Sequence, residues 1–307
     1  MSSNLPEITI LLATYNGDKF LEEQLTSLQL QTGVNVRVIA NDDGSSDSTL
    51  EILEIWKKRG LISEVYSTER VGPSEAFYSL LERVKDEEYV ALSDQDDVWE
   101  PSKLETLCKI IDLSNPSLAF CERVYIDLNG KVIGKSKLIH TRTQFENALI
   151  ENVVPGNTLL LNNQAVKLIQ KFRANELEHL DSWIYLLISA FGICKYTNLY
   201  LVKYRLHDDN AVGIRKFNLK NISSKLETWR TQASLLQELA QDQLNERVRS
   251  QLLEFLQLYS TVIKLHSFRR VLGFKFHRQR RSDAFAIKAL FLCRLFLGIQ
   301  LWRRLTK

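Results

Sequence analysis

Val90-Ala-Leu-Ser-Asp-Gln-Asp-Asp-Val-Trp99 is the stretch on which the fold turns. A β-rich apolar run, Tyr89 to Leu92, leads straight into Asp94, Asp96 and Asp97. Three carboxylates are thus expected at the carboxyl end of a buried strand. Crowded carboxylates raise one another's pKa unless a cation neutralises them. An oxygen-rich cluster of this kind suits a hard divalent ion, Mg²⁺ or Mn²⁺.

Upstream, Ile8 to Ala13 is another apolar run of strand length, closed by the turn signal Thr14-Tyr-Asn-Gly17. Phe20, Leu21, Leu25 and Leu28 then recur at helical spacing until Gly33. Val36 to Ala40 repeats the strand pattern and runs into the loop Asn41 to Thr49, where Asp47 or Ser48 is a fair N-cap for a helix through Leu50, Leu53 and Trp56. Strand, helix, strand, helix within about sixty residues predicts a parallel α/β sheet. Ligands of such sheets sit outside the carboxyl ends of the strands, where all three polar loops fall. Tyr15 can offer a ring face there and Asp43 a carboxylate, although each loop alone is also ordinary turn chemistry.

Downstream, Pro101 suits the first turn of a helix through Leu104, Leu107 and Ile110. Leu118 to Cys121 and Val124 to Ile126 are expected as strands, with Asp127-Leu-Asn-Gly130 as a hairpin turn. Gly156-Asn-Thr158 follows Pro155 into a further apolar run. Glu178-His-Leu-Asp-Ser-Trp183 opens an apolar helix ended by Gly192, with Asp181 in its first turn, where the helix dipole favours a carboxylate. An N-cap role is the plain alternative for Asp181. Tyr196 to Tyr204 is a last strand pattern, followed by Arg205-Leu-His207.

Three loops in register, Ala13-Thr-Tyr-Asn-Gly17, Asn41-Asp-Asp-Gly-Ser-Ser-Asp-Ser-Thr49 and Ser93-Asp-Gln-Asp-Asp-Val-Trp99, resemble the family-2 glycosyltransferases of the GT-A fold, over roughly residues 5 to 215. The last loop looks most like bacterial rhamnosyltransferase-type members, which build surface polysaccharides. The resemblance implies a Rossmann-like α/β domain over 1–215 and a mostly helical extension over 216–307. It implies a nucleoside-diphosphate sugar donor, dTDP- or UDP-linked, held by Ala13, Thr14, Tyr15, Asp43, Asp94 and Gln95. A divalent metal on the diphosphate would be gripped by Asp94, Asp96 and Asp97, with His207 beside them. Asp181 would be the base that deprotonates the acceptor hydroxyl in an inverting transfer. Trp99, Gly156, Asn157 and Thr158 would line the acceptor side, the acceptor being a glycan or lipid-linked. Arg70 stands where many relatives carry Asn, so it is either a donor contact or a solvated surface residue. Another hexose donor and an inactive GT-A-like assembly partner are the rival readings.

The chain has 307 residues, 45% hydrophobic and 25% charged, which excludes a disordered or fibrous protein. Net charge is +3, but from His266 onward Lys and Arg face a single acid, Asp283. The four cysteines lie far apart without metal-ligand spacing, which suits packing residues in a reduced compartment. The first residues lack a signal-peptide pattern, so the cytoplasm is the expected location. Ala284 to Trp302 is apolar almost all round, yet Lys288 and Arg294 would each cost roughly 2.5–3.5 kcal/mol at a bilayer centre. A helix lying on the inner membrane face among anionic headgroups is therefore expected, or one buried against the protein or in a homodimer. Basic residues that alternate with bulky aliphatics do not suit nucleic acid.

Overall fold

The structure is a computed structural model that describes residues 5–136, 143–174, 177, 179–207 and 222–259, and from 271 to 292 all but 273, 276, 277, 279–282, 286 and 290. The described residues group into two compact units, one drawn from 1–138, 154–188 and 192–213, the other from 139–153, 189–191 and 214–307.

The first unit is built on one sheet. Strands β1 (Glu7–Thr14), β2 (Asn35–Asp42), β3 (Ile62–Ser67) and β4 (Tyr89–Ser93) alternate with helices α1 (Asp18–Gln29), α2 (Thr49–Lys58) and α3 (Pro73–Leu81). They pair in parallel in the order β3-β2-β1-β4. Parallel strands are covered on both faces, which is why β1 and β4 are near-continuous apolar runs. Ile10, Leu11, Leu12, Val90 and Ala91 are all fully buried.

Beyond β4 the pairing changes. After the short β5 (Val98–Trp99) and helix α4 (Lys103–Ile110) come β6 (Ser117–Ile126), the edge strand β7 (Val132–Lys135), the helical turn α5 (Phe145–Ala148), β8 (Leu159–Asn162), helices α6 (Asn163–Lys171) and α7 (Leu180–Phe191), and β9 (Ile193–Arg205). The sheet continues from β4 through β8, β6 and β9 to β5. β8 runs antiparallel to both β4 and β6, and β6 runs parallel to β9. α7 stops at Gly192, where a Cβ would lie 1.9 Å from the Pro116 carbonyl oxygen, so only glycine lets β9 begin beside that backbone.

Two local expectations are corrected. Residues 117–126 form one strand, because a bulge at Glu122 keeps the ladder with β9 intact. The Glu122 side chain is held by the Tyr196 hydroxyl at 2.5 Å and by Ser136 Oγ. Helix α4 begins at Lys103, with Pro101 in the turn before it, its carbonyl accepting from Thr32 N–H at 2.9 Å. Ser48 holds the N-cap position of α2 without a side-chain bond, and the Asp47 carboxylate instead accepts from Thr49 N–H at 3.0 Å and from Asp18 N–H at 3.1 Å, joining the starts of α1 and α2.

The second unit contains helices α8 (Ile222–Ala240) and α9 (Glu246–Gln257). Its cations are partly engaged internally: Arg278 is 9% exposed, donates to the Ile150 carbonyl at 2.7 Å and pairs with Glu151 at 3.2 Å. Among the described residues no helix is long and apolar enough to cross a membrane. Most of Ala284 to Trp302 lies outside the described residues, as does Cys293.

Candidate active site

The loops that leave β1, β2 and β4 meet at the carboxyl edge of the parallel strands, and Gln95 locks two of them together. Its Oε1 accepts from Tyr15 N–H at 2.7 Å and its Nε2 donates to the Tyr15 carbonyl at 2.9 Å. Gly17 makes room for this clamp, since a Cβ there would lie 2.2 Å from Gln95 Oε1. Gln95, expected as a donor contact, is therefore a brace for the β1 loop. Gln95→Ala strands both polar groups of Tyr15, and an expected loss of about 1–3 kcal/mol follows from two such bonds. Urea unfolding checks this; a stability equal to that of the parent would mean that the clamp contributes nothing.

Thr14 is likewise internal, 3% exposed, with its hydroxyl donating to Asp42 Oδ1 at 3.0 Å. Asp43 is 7% exposed and accepts from Thr68 Oγ1, Val71 N–H and Gly72 N–H, each at 2.8 Å, so it folds the segment after β3 over the sheet edge. That segment delivers Arg70, at φ +54°, whose guanidinium lies 4.8 Å over the Tyr15 ring and bonds to its hydroxyl. Ala13 and Tyr15 remain partly exposed beside it.

The aspartates divide into two kinds. Asp94 is partly exposed, and burial, then the nearby Asp96 and Asp181, push its carboxyl up to about 7, against the pull of Arg123 and Lys103. Asp96 Oδ2 lies 2.7 Å from His207 Nε2, and the His207 ring stacks 5.6 Å from Phe20. Asp97 is fully buried. Its carboxylate accepts from Asn157 Nδ2 and, at 3.4 Å, from Arg205 N–H, while burial and the charges of Asp96 and Asp94 hold its pKa well above the usual carboxylate range. Asp97, expected as a metal ligand, thus faces into the protein and ties the loop to the strand β8 and β9 ends.

Two buried cationic side chains, Arg205 and Lys103, support this loop. Arg205, 2% exposed, donates from Nε to the Asp96 carbonyl at 3.1 Å and pairs with Glu23 at 2.5 Å. Lys103 is fully buried, with Nζ 2.6 Å from the Asn157 carbonyl and 3.0 Å over the Trp99 ring. Burial lowers its pKa to about 7, opposed by Cys121, Asp97 and Asp94. A lysine at Lys103 shares a helical face with Leu107 and Ile110, and that misplaced charge was the available signal. Arg123 lies near the loop without a hydrogen bond or ion pair to it, and gave no such signal.

On the other side of β4, Gly156 approaches the base candidate: a Cβ there would lie 3.6 Å from Asp181 Cβ. His179 holds the N-cap position of α7 and Asp181 stands in the first turn, its Oδ1 accepting from Ser182 N–H at 2.7 Å. Asn157 and Thr158 are 2% and 0% exposed, and Trp99 is 2% exposed within the core around Leu104, Leu107 and Val202. Those three, expected to line an acceptor, are buried and present almost no surface to a ligand.

Among the described residues, no group of three or more His, Cys, Asp and Glu is arranged to cage a metal ion. Mg²⁺-type ions in phosphate sites characteristically use one or two carboxylates and complete their shell with water and phosphate oxygens. Asp94 and Asp96 fit that pattern, since a cation would relieve the repulsion that raises Asp94. Residues 208–213 lie outside the described residues.

The chain is 27% identical over 219 residues to a dTDP-rhamnosyl transferase, RfbG, of Shigella flexneri, covering 66% of this chain and 73% of that one. The fold is similar to that of S. aureus TarS 1-349 solved with UDP-GlcNAc, at TM-score 0.63 and 16% identity over 97% of this chain and 89% of that one. It is also similar to a mannosyltransferase from Pyrobaculum calidifontis solved with GDP-Man and Mn²⁺, at TM-score 0.55 and 15% identity over 98% and 83%. The α/β sheet with its acidic loop is thus a GT-A glycosyltransferase fold, and the family model for glycosyl transferase family 2 matches residues 9–168, more than half of the sequence. The chain belongs to glycosyl transferase family 2.

Proposed function

We propose that the protein transfers a sugar, with inversion, from a nucleoside-diphosphate donor to a hydroxyl of a glycan or lipid-linked acceptor in surface-polysaccharide synthesis. The observation that carries this is the convergence of Asp94, Asp96 and Asp181, close enough that the latter two raise the pKa of the first. Tyr15, with Arg70 stacked on it, supplies a platform for the base on one side of β4, alongside Ala13 and Asp43. Asp94 and Asp96, with His207 beside them, would hold Mg²⁺ or Mn²⁺ against the diphosphate. A divalent ion bound there supplies Lewis acidity to a leaving group that gains negative charge. Asp181 takes the proton of the acceptor hydroxyl as it attacks, and Gly156 leaves space for that acceptor.

Rhamnose on deoxythymidine diphosphate is the donor proposed, on the likeness to the Shigella protein, with another hexose donor as the alternative. The basic segment beyond His266 is the proposed contact with the inner membrane face or with a second copy. Thermal-shift titration with deoxythymidine, uridine and guanosine diphosphates, each with Mn²⁺, tests the donor site. A nucleotide at 100 times its dissociation constant adds about 2.7 kcal/mol. Deoxythymidine diphosphate is expected to give the largest shift, and a protein indifferent to all three would overturn the proposal.

A further inference from the structure

Three partly buried arginines have an Nε atom shut off from water without a hydrogen-bond partner: Arg123, Arg173 and Arg278. Two are neutralised through their terminal nitrogens, Arg173 by Glu75 and Glu82 and Arg278 by Glu151. Arg123 is different, for among the described residues its guanidinium has neither a hydrogen-bond acceptor nor an ion-pair partner. Its head lies 4.3 Å over the ring of Tyr204 and 5.6 Å from that of Tyr125. It is near enough to Asp94 and Asp97 to favour their ionised forms, yet within ion-pair distance of neither. Only its Nε is shut off from water, and the terminal nitrogens of the planar fork, unpaired among the described residues, match a carboxylate or phosphate.

The position of the charge indicates whose anion it meets. In the sheet, β4 separates the nucleotide-side loops of β1 and β2 from β8, β6 and β9. Arg123 and Tyr125 stand on β6 and Tyr204 opposite Tyr125 on β9. Gly156 and Asp181 lie on that same side of β4. A group bound at Arg123 therefore comes from the direction of the attacking hydroxyl, away from the base platform at Tyr15.

We infer that Arg123, between Tyr125 and Tyr204, is a binding site for an anionic group on the acceptor, a sugar carboxylate or a sugar phosphate. Proposing an acceptor rests on the glycosyltransferase reading; the anion site itself does not. The Tyr204 ring, buried beneath the guanidinium, holds it in place, and the guanidinium fixes the charged substituent. A neutral sugar would leave the arginine unpaired.

The test uses the full chain with deoxythymidine diphosphate and Mn²⁺, so that the nucleotide's own phosphates are already placed. Methyl glucuronide, glucose 6-phosphate and methyl glucoside are titrated in turn and followed by ligand-detected NMR. At least one anionic probe is expected to bind tenfold or more tightly than methyl glucoside, and the tighter of the two separates carboxylate from phosphate. Arg123→Gln abolishes this preference, and Arg123→Lys keeps part of it, which distinguishes charge from packing. The inference is overturned if neither anion is preferred, if the preference survives in Arg123→Gln, or if that variant loses nucleotide affinity tenfold and leaves probe binding unchanged. Repeating the titration without nucleotide reads the anion site even if no nucleotide binds, so failure of the donor proposal is seen separately.

Discussion

Asparagine in place of Asp181 lowers sugar transfer about 10²- to 10⁴-fold, the usual contribution of a positioned general base, while nucleotide affinity measured above pH 7, where Asp94 is ionised, stays within twofold. The geometry separates the two effects. Asp181 stands in the first turn of α7 and its Cβ faces Gly156, whereas the residues that brace the nucleotide loops, Gln95 and Asp43, bond to the β1 loop and to the segment after β3. Asparagine keeps the shape and can still accept from Ser182 N–H through its Oδ1, as Asp181 does at 2.7 Å. Folding should therefore be little changed, and the deficit should appear in turnover. Donor consumption measured with and without acceptor checks the assignment. A variant that transfers at the parental rate would remove Asp181 from the chemistry and return it to helix-end electrostatics, worth only about 0.3–1 kcal/mol.

The parallel half of the sheet was legible because burial on both faces leaves one signature, an apolar run that stops at Gly or Asp. β1, β2 and β4 all carry it, and their loops meet at one edge as expected. The antiparallel half was less so. The bulge at Glu122 resembles a break between strands, and the insertion of β8 between β4 and β6 joins segments about seventy and forty residues apart, which no local pattern encodes. Within the site, Asp94, Asp96 and Asp97 look alike in sequence, and only tertiary structure separates Asp97, fully buried on Asn157, from Asp96 beside His207 and the partly exposed Asp94. Trp99 misled for a similar reason: a polar loop beside it suggested a ligand face, but its alternation with Val98 turns the ring into the core. Arg123 and Arg205 lie in or at the end of strands, where a lone charge usually marks a solvated face. Here Arg205 instead fills a space framed by Phe20, Glu23 and the Asp96 carbonyl.

Asp96→Asn is expected to cut the Mn²⁺-dependent part of nucleotide affinity about 10²- to 10³-fold, because losing a ligand charge forfeits several kcal/mol at tenfold per 1.36 kcal/mol. The backbone stays anchored, since the Asp96 carbonyl still accepts from Arg205 Nε, and the new amide oxygen can still meet His207. A pH titration makes the assignment sharper. In the parent protein burial, Asp96 and Asp181 raise Asp94 to about 7, so protons compete with the cation below that pH. Mn²⁺ affinity should then climb by up to tenfold per pH unit between about 5 and 7 and level off above. Removing the Asp96 charge takes away the second largest cause of that shift, so the bend should move to lower pH as the plateau drops. Isothermal titration with deoxythymidine diphosphate and Mn²⁺ at several pH values reads both changes. A lower plateau with an unmoved bend would separate Asp96 from Asp94, and an unchanged plateau would exclude Asp96 as a cation ligand. The two carboxylates act as one site only if both changes appear together, because the charge that binds the cation is also the charge that keeps its neighbour protonated without one.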